Sequence, residues 1–430
     1  MKRTSVEARR ASSAPSRTPE PIPVEITAIA AGGEGVGHLP DGRVIFVHRT
    51  APGELVEAGI LEERKRWARG ALLRVVRPSP DRRAEVCPHY ERCGGCTIEH
   101  LEYPAQLAAK ARIVRDALTR IGGVDIGIPH VVASPREFRY RNRVSFALRR
   151  LGGGRVVAGF HALHEPGHVL DIDGSCLLPE EAVARVWRTL RQEWGRNADR
   201  LPSGERLRLT LRATSAGRVS LLVEGGSSPG RPEELIERIE GLDAIAYRDA
   251  DGTARNVAGA AGLAETWGVE TFTVAGAAFL QVNRDAAVLL EDHVISLAAD
   301  VAGLRVVDAY SGIGLHARRL ARAGARVTGI ERDPAAVRIA EAQAVEGSSF
   351  RCGTVEGLLG TTLPADLLIL NPPRVGLHPS VVEQILGAAP PRIIYISCDP
   401  ATLARDVKRL GSMYEIASIR CFDLFPQTTH

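Results

Sequence analysis

The sequence has no uninterrupted apolar run approaching the ~18 residues of a membrane-spanning helix, which excludes a helical anchor of that kind. Lys2, Arg3, Arg9 and Arg10 open the chain with no apolar segment behind them, so no secretory signal peptide is expected. Both absences point to the cytoplasm. There, seven cysteines are not expected to pair as disulfides. A strong charge imbalance is lacking too: the formal net charge is +4 over 430 residues, so bulk charge alone does not announce a nucleic-acid partner. Lysine is scarce, and arginine supplies nearly all of the 55 basic residues. Guanidinium groups suit phosphates and stacked bases better than ammonium groups do.

What is present is a soluble-protein composition, 44% hydrophobic and 25% charged. The length is too great for one ordinary core and implies about two to four domains. Residues 1–20, rich in Ser, Pro, Arg and Ala, read as a disordered basic tail. Residues 21–79 carry short strand-like runs (Val24–Ile26, Arg43–Val47, Glu54–Ile60 and Gly70–Val76) broken by glycine-rich turns, the pattern of a small oligonucleotide-binding β-barrel. The cluster Gly32–Gly37 has no helical pattern behind it and reads as a β-turn, not a phosphate loop. Residues 80–285 read as an α+β central domain that opens with a cysteine cluster. A helix over 104–121 is expected to bury Leu107, Ala111, Val114, Leu118 and Ile121. The segments 61–83 and 136–150 are basic with interleaved aromatics. From 286 to 430 strands and helices alternate, which predicts an α/β, doubly wound parallel sheet.

The chemistry concentrates in that last region. Val307-Asp308-Ala309-Tyr310-Ser311-Gly312-Ile313-Gly314 runs from a strand into a helix, and Glu331 ends the next strand about 20 residues on, where an acid can accept hydrogen bonds from ribose hydroxyls. The third glycine of a dinucleotide loop is missing, since position 317 is Ala317, and Asp308 precedes the loop. Both features favour S-adenosylmethionine as the cofactor. Asn371-Pro372-Pro373-Arg374 follows the apolar strand Asp366–Leu370, and two prolines stiffen it. An aromatic at the position of Arg374 would suit amino-group methylation, and its absence argues against that reaction. Cys398, in Ile396-Ser397-Cys398-Asp399-Pro400, lies beyond another buried strand at the same sheet edge. A thiolate beside a methyl donor suits methylation of uracil C5. Addition to C6 makes C5 enolate-like, C5 then takes the methyl, and a base removes the C5 proton so that the thiol can leave.

Cys87, Cys93 and Cys96, with Gly94 and Gly95 between the last two, form a compact group, and Cys176 lies in Asp173-Gly174-Ser175-Cys176. Such thiolates suit zinc or a four-iron cluster. By spacing alone Cys352 and Cys421 compete with Cys176 for the fourth place.

Taken together, these residues resemble the RNA uracil-C5 methyltransferase family, especially the bacterial 23S rRNA members that carry an N-terminal TRAM domain and a [4Fe-4S] cluster. The resemblance spans about 21–430. It implies a Rossmann-like methyltransferase domain behind an OB-like TRAM barrel. It implies Cys398 as nucleophile, and Gln281, Tyr310, Glu331 and Asn371 as contacts of S-adenosylmethionine. Gln281 lies in Phe279-Leu280-Gln281-Val282-Asn283, which looks like the family's Phe-Phe-Gln-Val-Asn motif. It also implies Cys87, Cys93, Cys96 and Cys176 as iron–sulfur ligands, and Tyr140-Arg141-Asn142-Arg143 as a segment beside the RNA. The partner implied is RNA, rRNA ahead of tRNA, with no membrane and no obligate protein partner. Three departures stand out. Ser311 replaces a common Cys, and Asn371 replaces Asp. Phe425-Pro426-Gln427-Thr428-Thr429-His430 stops two positions before the Glu that serves the family as general base. That last difference carries the alternative expectation of an RNA- and cofactor-binding relative with impaired turnover.

Overall fold

The structure is a computed structural model that describes residues 20–274 and 280–430. The expected basic tail and Phe279 therefore lie outside the described residues, apart from Glu20. The chain divides into two compact units, one ending at Arg82 and one beginning at Arg83.

The first unit is a closed barrel. Its strands are β1 (Ile22–Ile29), β2 (Gly35–His38), β3 (Val44–Val47), β4 (Leu55–Glu63) and β5 (Trp67–Arg77), in the order β1-β2-β3-β5-β4. Alternating residues turn Val24, Ile26, Ile45, Val47, Val56 and Ala58 into one core, the period-two signature of strands with one buried face. The segment expected as a turn is more than that. Gly33 does turn the chain (φ +91°), but Gly35 and Gly37 belong to β2. A side chain at 37 would meet the Glu25 carbonyl at 2.6 Å. Gly37 is there because β1 passes too closely for a Cβ, and Gly35 because Thr50 and Ile26 fill the space one would take.

The second unit begins with α1 (Tyr103–Ala117), which a short π-turn carries on to Gly122. Its buried face follows the apolar spacing only in part, at Ala111 and at Leu118 just past the helix. Gln106, Ala109, Lys110 and Ala111 are buried in α1, while Ile121 is exposed. Apolar spacing misjudged this helix because its inner face meets polar groups, described below. After β6 (Val131–Val132) come β7 (Arg143–Arg150), β8 (Val156–His161), β9 (Val169–Asp171), α2 (Glu181–Glu193), β10 (Arg206–Ala213), β11 (Val219–Glu224), α3 (Pro232–Arg238), β12 (Leu242–Arg248) and β13 (Ala254–Gly259). Their strands form a seven-stranded sheet, ordered β13-β12-β11-β10-β7-β8-β9. α2 presents Val183, Val186, Trp187 and Leu190 at helical spacing and buries them on this sheet. The Trp187 ring lies flat on Phe146, with centroids 3.8 Å apart and planes within 6°. Its indole N–H donates to the Ile172 carbonyl (2.8 Å).

A hairpin of β14 (Leu263–Trp267) and β15 (Glu270–Val274) leads through residues 280–283 to α4 (Arg284–Leu297). Then β16 (Arg305–Ala309), α5 (Leu315–Arg322), β17 (Arg326–Glu331), α6 (Pro334–Ala342), β18 (Ser348–Cys352), α7 (Val355–Thr362), β19 (Leu367–Leu370), α8 (Pro379–Ala388), β20 (Ile393–Tyr395) and α9 (Pro400–Leu410) alternate. The five strands pair in parallel as β18-β17-β16-β19-β20. Leu367–Leu370 is fully buried, as a central strand covered on both faces must be. The last strand, β21 (Cys421–Phe422), leaves this sheet and pairs with β6. No helix among the described residues is long and apolar enough to cross a membrane.

Phe146→Ala is expected to destabilise the second unit by about 3–5 kcal/mol, because it removes the platform under Trp187 and leaves a cavity. Denaturant unfolding followed by tryptophan fluorescence measures this. A change below roughly 1 kcal/mol would mean that the stack contributes little.

Candidate active site and cysteine cavity

The carboxyl ends of β17, β16, β19 and β20 lie side by side, and each is followed by a residue singled out above. The ladder continues past the strand ends. The Ser311 amide donates to the Ile330 carbonyl (3.0 Å), the Asn371 amide to Ala309 (3.2 Å) and the Ile396 amide to Leu370 (2.8 Å). These bonds set the Tyr310–Gly314 loop, Glu331, Asn371 and the Cys398 loop along one edge, where open parallel sheets bind ligands. Glu331 accepts from the Gly312 amide through Oε2 (3.0 Å) and from the Asp333 amide through Oε1 (2.8 Å), so the carboxylate is fixed with accepting capacity to spare.

The loop is shaped for close approach of a ligand. Gly312 (φ +56°) would present a Cβ to open space, while Gly314 (φ +77°) packs so closely on Phe350 that a Cβ would lie 2.5 Å from its ring. Tyr310 adopts φ +66°, a left-handed conformation that costs a non-glycine residue about 1–3 kcal/mol. Buried hydroxyls without partners gather here, those of Tyr310 and Ser311, beside the fully buried carboxyl of Asp308, which the Ala317 amide faces. Burial pushes the Asp308 carboxyl up to about 7, the Ala317 amide opposing and Glu331 adding to the rise. An open glycine loop, a fixed acid and orphaned polar atoms suit a polar nucleoside ligand.

Cys398 follows β20 with an exposed thiol on a stiff loop. The Ser397 hydroxyl donates to the Asp399 carbonyl (3.0 Å) and accepts from the Asp399 amide (3.2 Å). Asp399 caps α9 by accepting from the Thr402 amide (2.8 Å). One turn further along α9, fully buried Asp406 accepts from the Leu377 amide (2.7 Å), the Tyr395 hydroxyl (2.9 Å) and the Arg405 guanidinium (3.0 Å). That carboxylate joins α9 to β20 and to the chain beyond Asn371. Sequence reasoning passed over it, since one acid in a helix of basic residues reads as surface charge.

Gln281 comes next to the segment Tyr140–Arg143. The Asn142 amide group donates to the Gln281 carbonyl (3.0 Å), its backbone N–H donates to Val282 (2.8 Å), and Arg141 bridges to Asn283. Asn283 caps α4 by accepting from the Ala286 amide (3.2 Å). Two motifs far apart in sequence are thus joined backbone to backbone.

Cys87, Cys93, Cys96 and Cys176 line one cavity of about 270 Å³, together with Glu99, Phe138, Arg141 and Ile172. Neither Cys352 on β18 nor Cys421 on β21 lines it. Glu99 holds the Cys87 amide (2.7 Å), the Gly95 amide donates to the Cys93 sulfur (3.3 Å), and His89 and Ser175 are hydrogen-bonded across the loops of Cys87 and Cys176 (2.6 Å). Burial pushes Cys176 up to about 12 and Cys96 well above the usual thiol range, with Arg141 opposing both. Four thiolates in such a space require a compensating positive group. Among the described residues no group of three or more His, Cys, Asp or Glu is placed to hold a metal ion.

The C-terminal segment lies between the cysteine cavity and the Cys398 loop, which sequence reading missed. Fully buried Gln427 (φ +71°) accepts at its carbonyl from the amides of Thr97 (2.9 Å) and Ile98 (3.1 Å), just after Cys96. Its Oε1 accepts from Arg83 (2.8 Å) and Gln106 (2.9 Å), and its amide donates back to Gln106 (2.9 Å). Lys110 donates to Asp423 (2.5 Å) and to the Phe425 carbonyl (3.0 Å). These partners explain the polar face of α1. The buried pair Gln106 and Lys110, one turn apart, was the available signal. His430 comes near Arg374, Lys110 and Asp399; burial and the two cations lower its pKa.

Comparison with known proteins agrees with this arrangement. Residues 18–73 match the TRAM domain, and residues 353–430 match the tRNA (Uracil-5-)-methyltransferase family. The chain is similar to an uncharacterized RNA methyltransferase of Gloeobacter violaceus, with 37% identity over 434 residues that cover 95% of this chain and 94% of the relative. One from Thermosynechococcus vestitus is 33% identical over 436 residues, covering 95% and 96%. Among solved structures, the tRNA (uracil-54, C5)-methyltransferase of Pyrococcus abyssi, crystallised with S-adenosyl-L-homocysteine, aligns over 95% of this chain and 98% of its own. The TM-score is 0.72 and the identity 27%.

The raised pKa of Asp308 has a stability consequence. A buried carboxyl that stays protonated up to about 7 binds more protons folded than unfolded, so stability is present below the ordinary carboxylate range and falls as pH rises toward 7. Asp308→Asn in the cofactor-free protein is expected to flatten that fall, by on the order of a few kcal/mol between pH 5 and pH 8. Thermal melts across this range test it, and an unchanged slope would refute it.

Proposed function

This chain belongs to the RNA uracil-C5 methyltransferase family and is an S-adenosylmethionine-dependent RNA methyltransferase; from that premise we propose that it methylates C5 of a uridine in 23S rRNA through a covalent bond to Cys398. The observation that carries the mechanism is the exposed thiol on a stiff loop, two strands from the glycine loop and three from Glu331.

S-adenosylmethionine, when bound, supplies an electrophilic methyl group. The residues that would hold it are Gln281, Tyr310, Glu331 and Asn371, with Glu331 toward the ribose hydroxyls and the open face of Gly312 leaving room for the ligand. Cys398 loses its proton and its sulfur bonds to uracil C6, which moves an electron pair toward C5 and O4. C5 would form the new carbon–methyl bond as the donor's sulfur–methyl bond breaks, the electron pair staying on the sulfur of the departing S-adenosylhomocysteine. A base then takes the C5 proton, the C5–C6 double bond returns, and the Cys398 thiolate leaves. The target uridine must leave its stack to reach the thiol. Asn371 offers a neutral amide where the family commonly has a carboxylate, and that amide can both donate and accept.

We also propose that Cys87, Cys93, Cys96 and Cys176 hold a [4Fe-4S] cluster. Four sulfurs around one cavity, an N–H···S bond and a nearby guanidinium support it. The cluster would cross-link the loops that carry the cysteines, and the methylation steps above need no electron. We place the protein in the cytoplasm, where such thiols stay reduced.

With 5-fluorouridine in the target RNA, no C5 proton can leave, so wild-type protein plus S-adenosylmethionine is expected to give a denaturant-stable protein–RNA adduct. Cys398→Ala should give none and should lower methylation by roughly 10⁴-fold or more. Activity that survives Cys398→Ala would overturn the covalent reading. Mapping 5-methyluridine in cells with and without the gene identifies the RNA: loss from 23S rRNA supports the proposal, and loss from tRNA moves the substrate to tRNA. Anaerobically purified protein is expected to hold about four irons and four acid-labile sulfides per chain, and Cys176→Ser to lower both. Stoichiometric zinc instead would replace the cluster with a zinc site.

A further inference from the structure

Beside the Cys398 loop the chain makes a tight, exposed turn for which the methylation mechanism has no use. It is Pro373-Arg374-Val375-Gly376, closed by the Gly376 amide donating to the Pro373 carbonyl (2.8 Å). The Arg405 guanidinium donates to the Val375 carbonyl (2.7 Å), and Asp406 accepts from the Leu377 amide (2.7 Å). Gly376 sits at φ +75°, where a Cβ would run into Arg405 and Asp406 and lie 3.3 Å from Thr402. Buried Pro372 and exposed Pro373 stiffen the entry. Backbone freedom has been removed from both sides of Val375, yet its side chain is 72% exposed.

A single exposed valine is ordinary on a protein surface. This one differs in its placement. Thr402, which the turn packs against, is capped by Asp399, the neighbour of Cys398. Arg374 beside it is exposed and makes no ion pair among the described residues. A fixed apolar knob with a free guanidinium, next to the nucleophile, is the chemistry of a wedge that enters a base stack while a cation meets the backbone phosphate. Turning a base out leaves an apolar gap in the stack, and a side chain that fills the gap lowers the cost of keeping the base out.

We propose that Val375 is the wedge of this enzyme: it fills the space vacated by the target uridine, while Arg374 binds an adjacent phosphate. The inference rests on the reading that a uridine is drawn to Cys398. The turn itself does no chemistry. It biases the RNA toward the form in which uracil C6 is accessible to the thiolate.

The test uses the full-length enzyme as purified, a structured RNA carrying the mapped uridine, and a short unstructured RNA with the same uridine, where no stacked gap has to form. Wild-type enzyme must first trap 5-fluorouridine RNA; failure there is failure of the functional reading and not of the wedge. Val375→Ala and Val375→Asp are expected to raise KM for the structured RNA about ten-fold or more, the worth of burying one valine side chain. On the unstructured RNA the Val375→Ala penalty should shrink to about two-fold or less. Affinity for S-adenosylmethionine and the melting temperature should not change. Arg374→Ala should raise KM on both RNAs and lower the salt dependence of binding. Equal penalties of Val375→Ala on the two RNAs, or a KM within two-fold of wild type on the structured one, would overturn the wedge.

Discussion

The active edge depends on the parallel pairing of β16 between β17 and β19, and on the backbone hydrogen bonds that run one or two residues past the strand ends. Those bonds convert strand register into placement of side chains. Ser311 is held by Ile330, Asn371 by Ala309 and Ile396 by Leu370. A slip of one residue would turn each functional side chain to the wrong face. The apolar strand Leu367–Leu370, buried on both faces, makes such a slip costly. Strain at Tyr310 and unpaired hydroxyls at Tyr310 and Ser311 can persist there because this core holds the backbone around them.

A second constraint is polar. The C-terminal segment reaches from the cysteine cavity to the neighbourhood of Arg374 and Asp399, and it is held almost wholly by buried hydrogen bonds and one ion pair. Gln427 satisfies its carbonyl, its amide and its side-chain oxygen within the protein, which is what makes a buried polar residue tolerable. Because Thr97 and Ile98 follow Cys96 directly, the arrangement of the cysteine loops bears on where this segment lies. Tyr140 and Arg141 complete the connection: the Tyr140 hydroxyl donates to the Pro426 carbonyl (3.0 Å), and the Arg141 guanidinium stands 5.8 Å from the Phe425 ring centroid.

Legibility in the sequence followed periodicity and motif density. The alternating strands of the barrel and the βαβ run were readable because their side chains face one medium at a time. The loop at Gly312–Gly314 with Glu331, and Cys398 beyond a buried strand, were readable because ligand chemistry demands those residue types at strand ends. α1 was misread at its buried face. Its inner side meets Gln427 and Asp423 from the far end of the chain, so its apolar spacing marked only part of what is buried. The glycines at 35 and 37 were read as a turn for a similar reason, since a close strand crossing and a tight turn both require a missing side chain. Asp406 was invisible because a buried acid can be recognised only once its distant donors, Leu377 and Tyr395 on two other segments, are brought to it.

The sequence by itself determined the fold class and singled out the glycine loop and Cys398 as candidates, because each depends on a local pattern: hydrophobic period, glycine placement, a thiol at a strand end. Tertiary structure decided which cysteines share a cavity, why α1 is polar inside, and that the rigid turn carrying Val375 packs on α9, the helix that begins just after Cys398. Those are statements about groups distant in the chain, and their energies come from burial and from hydrogen bonds that exist only when the partners meet.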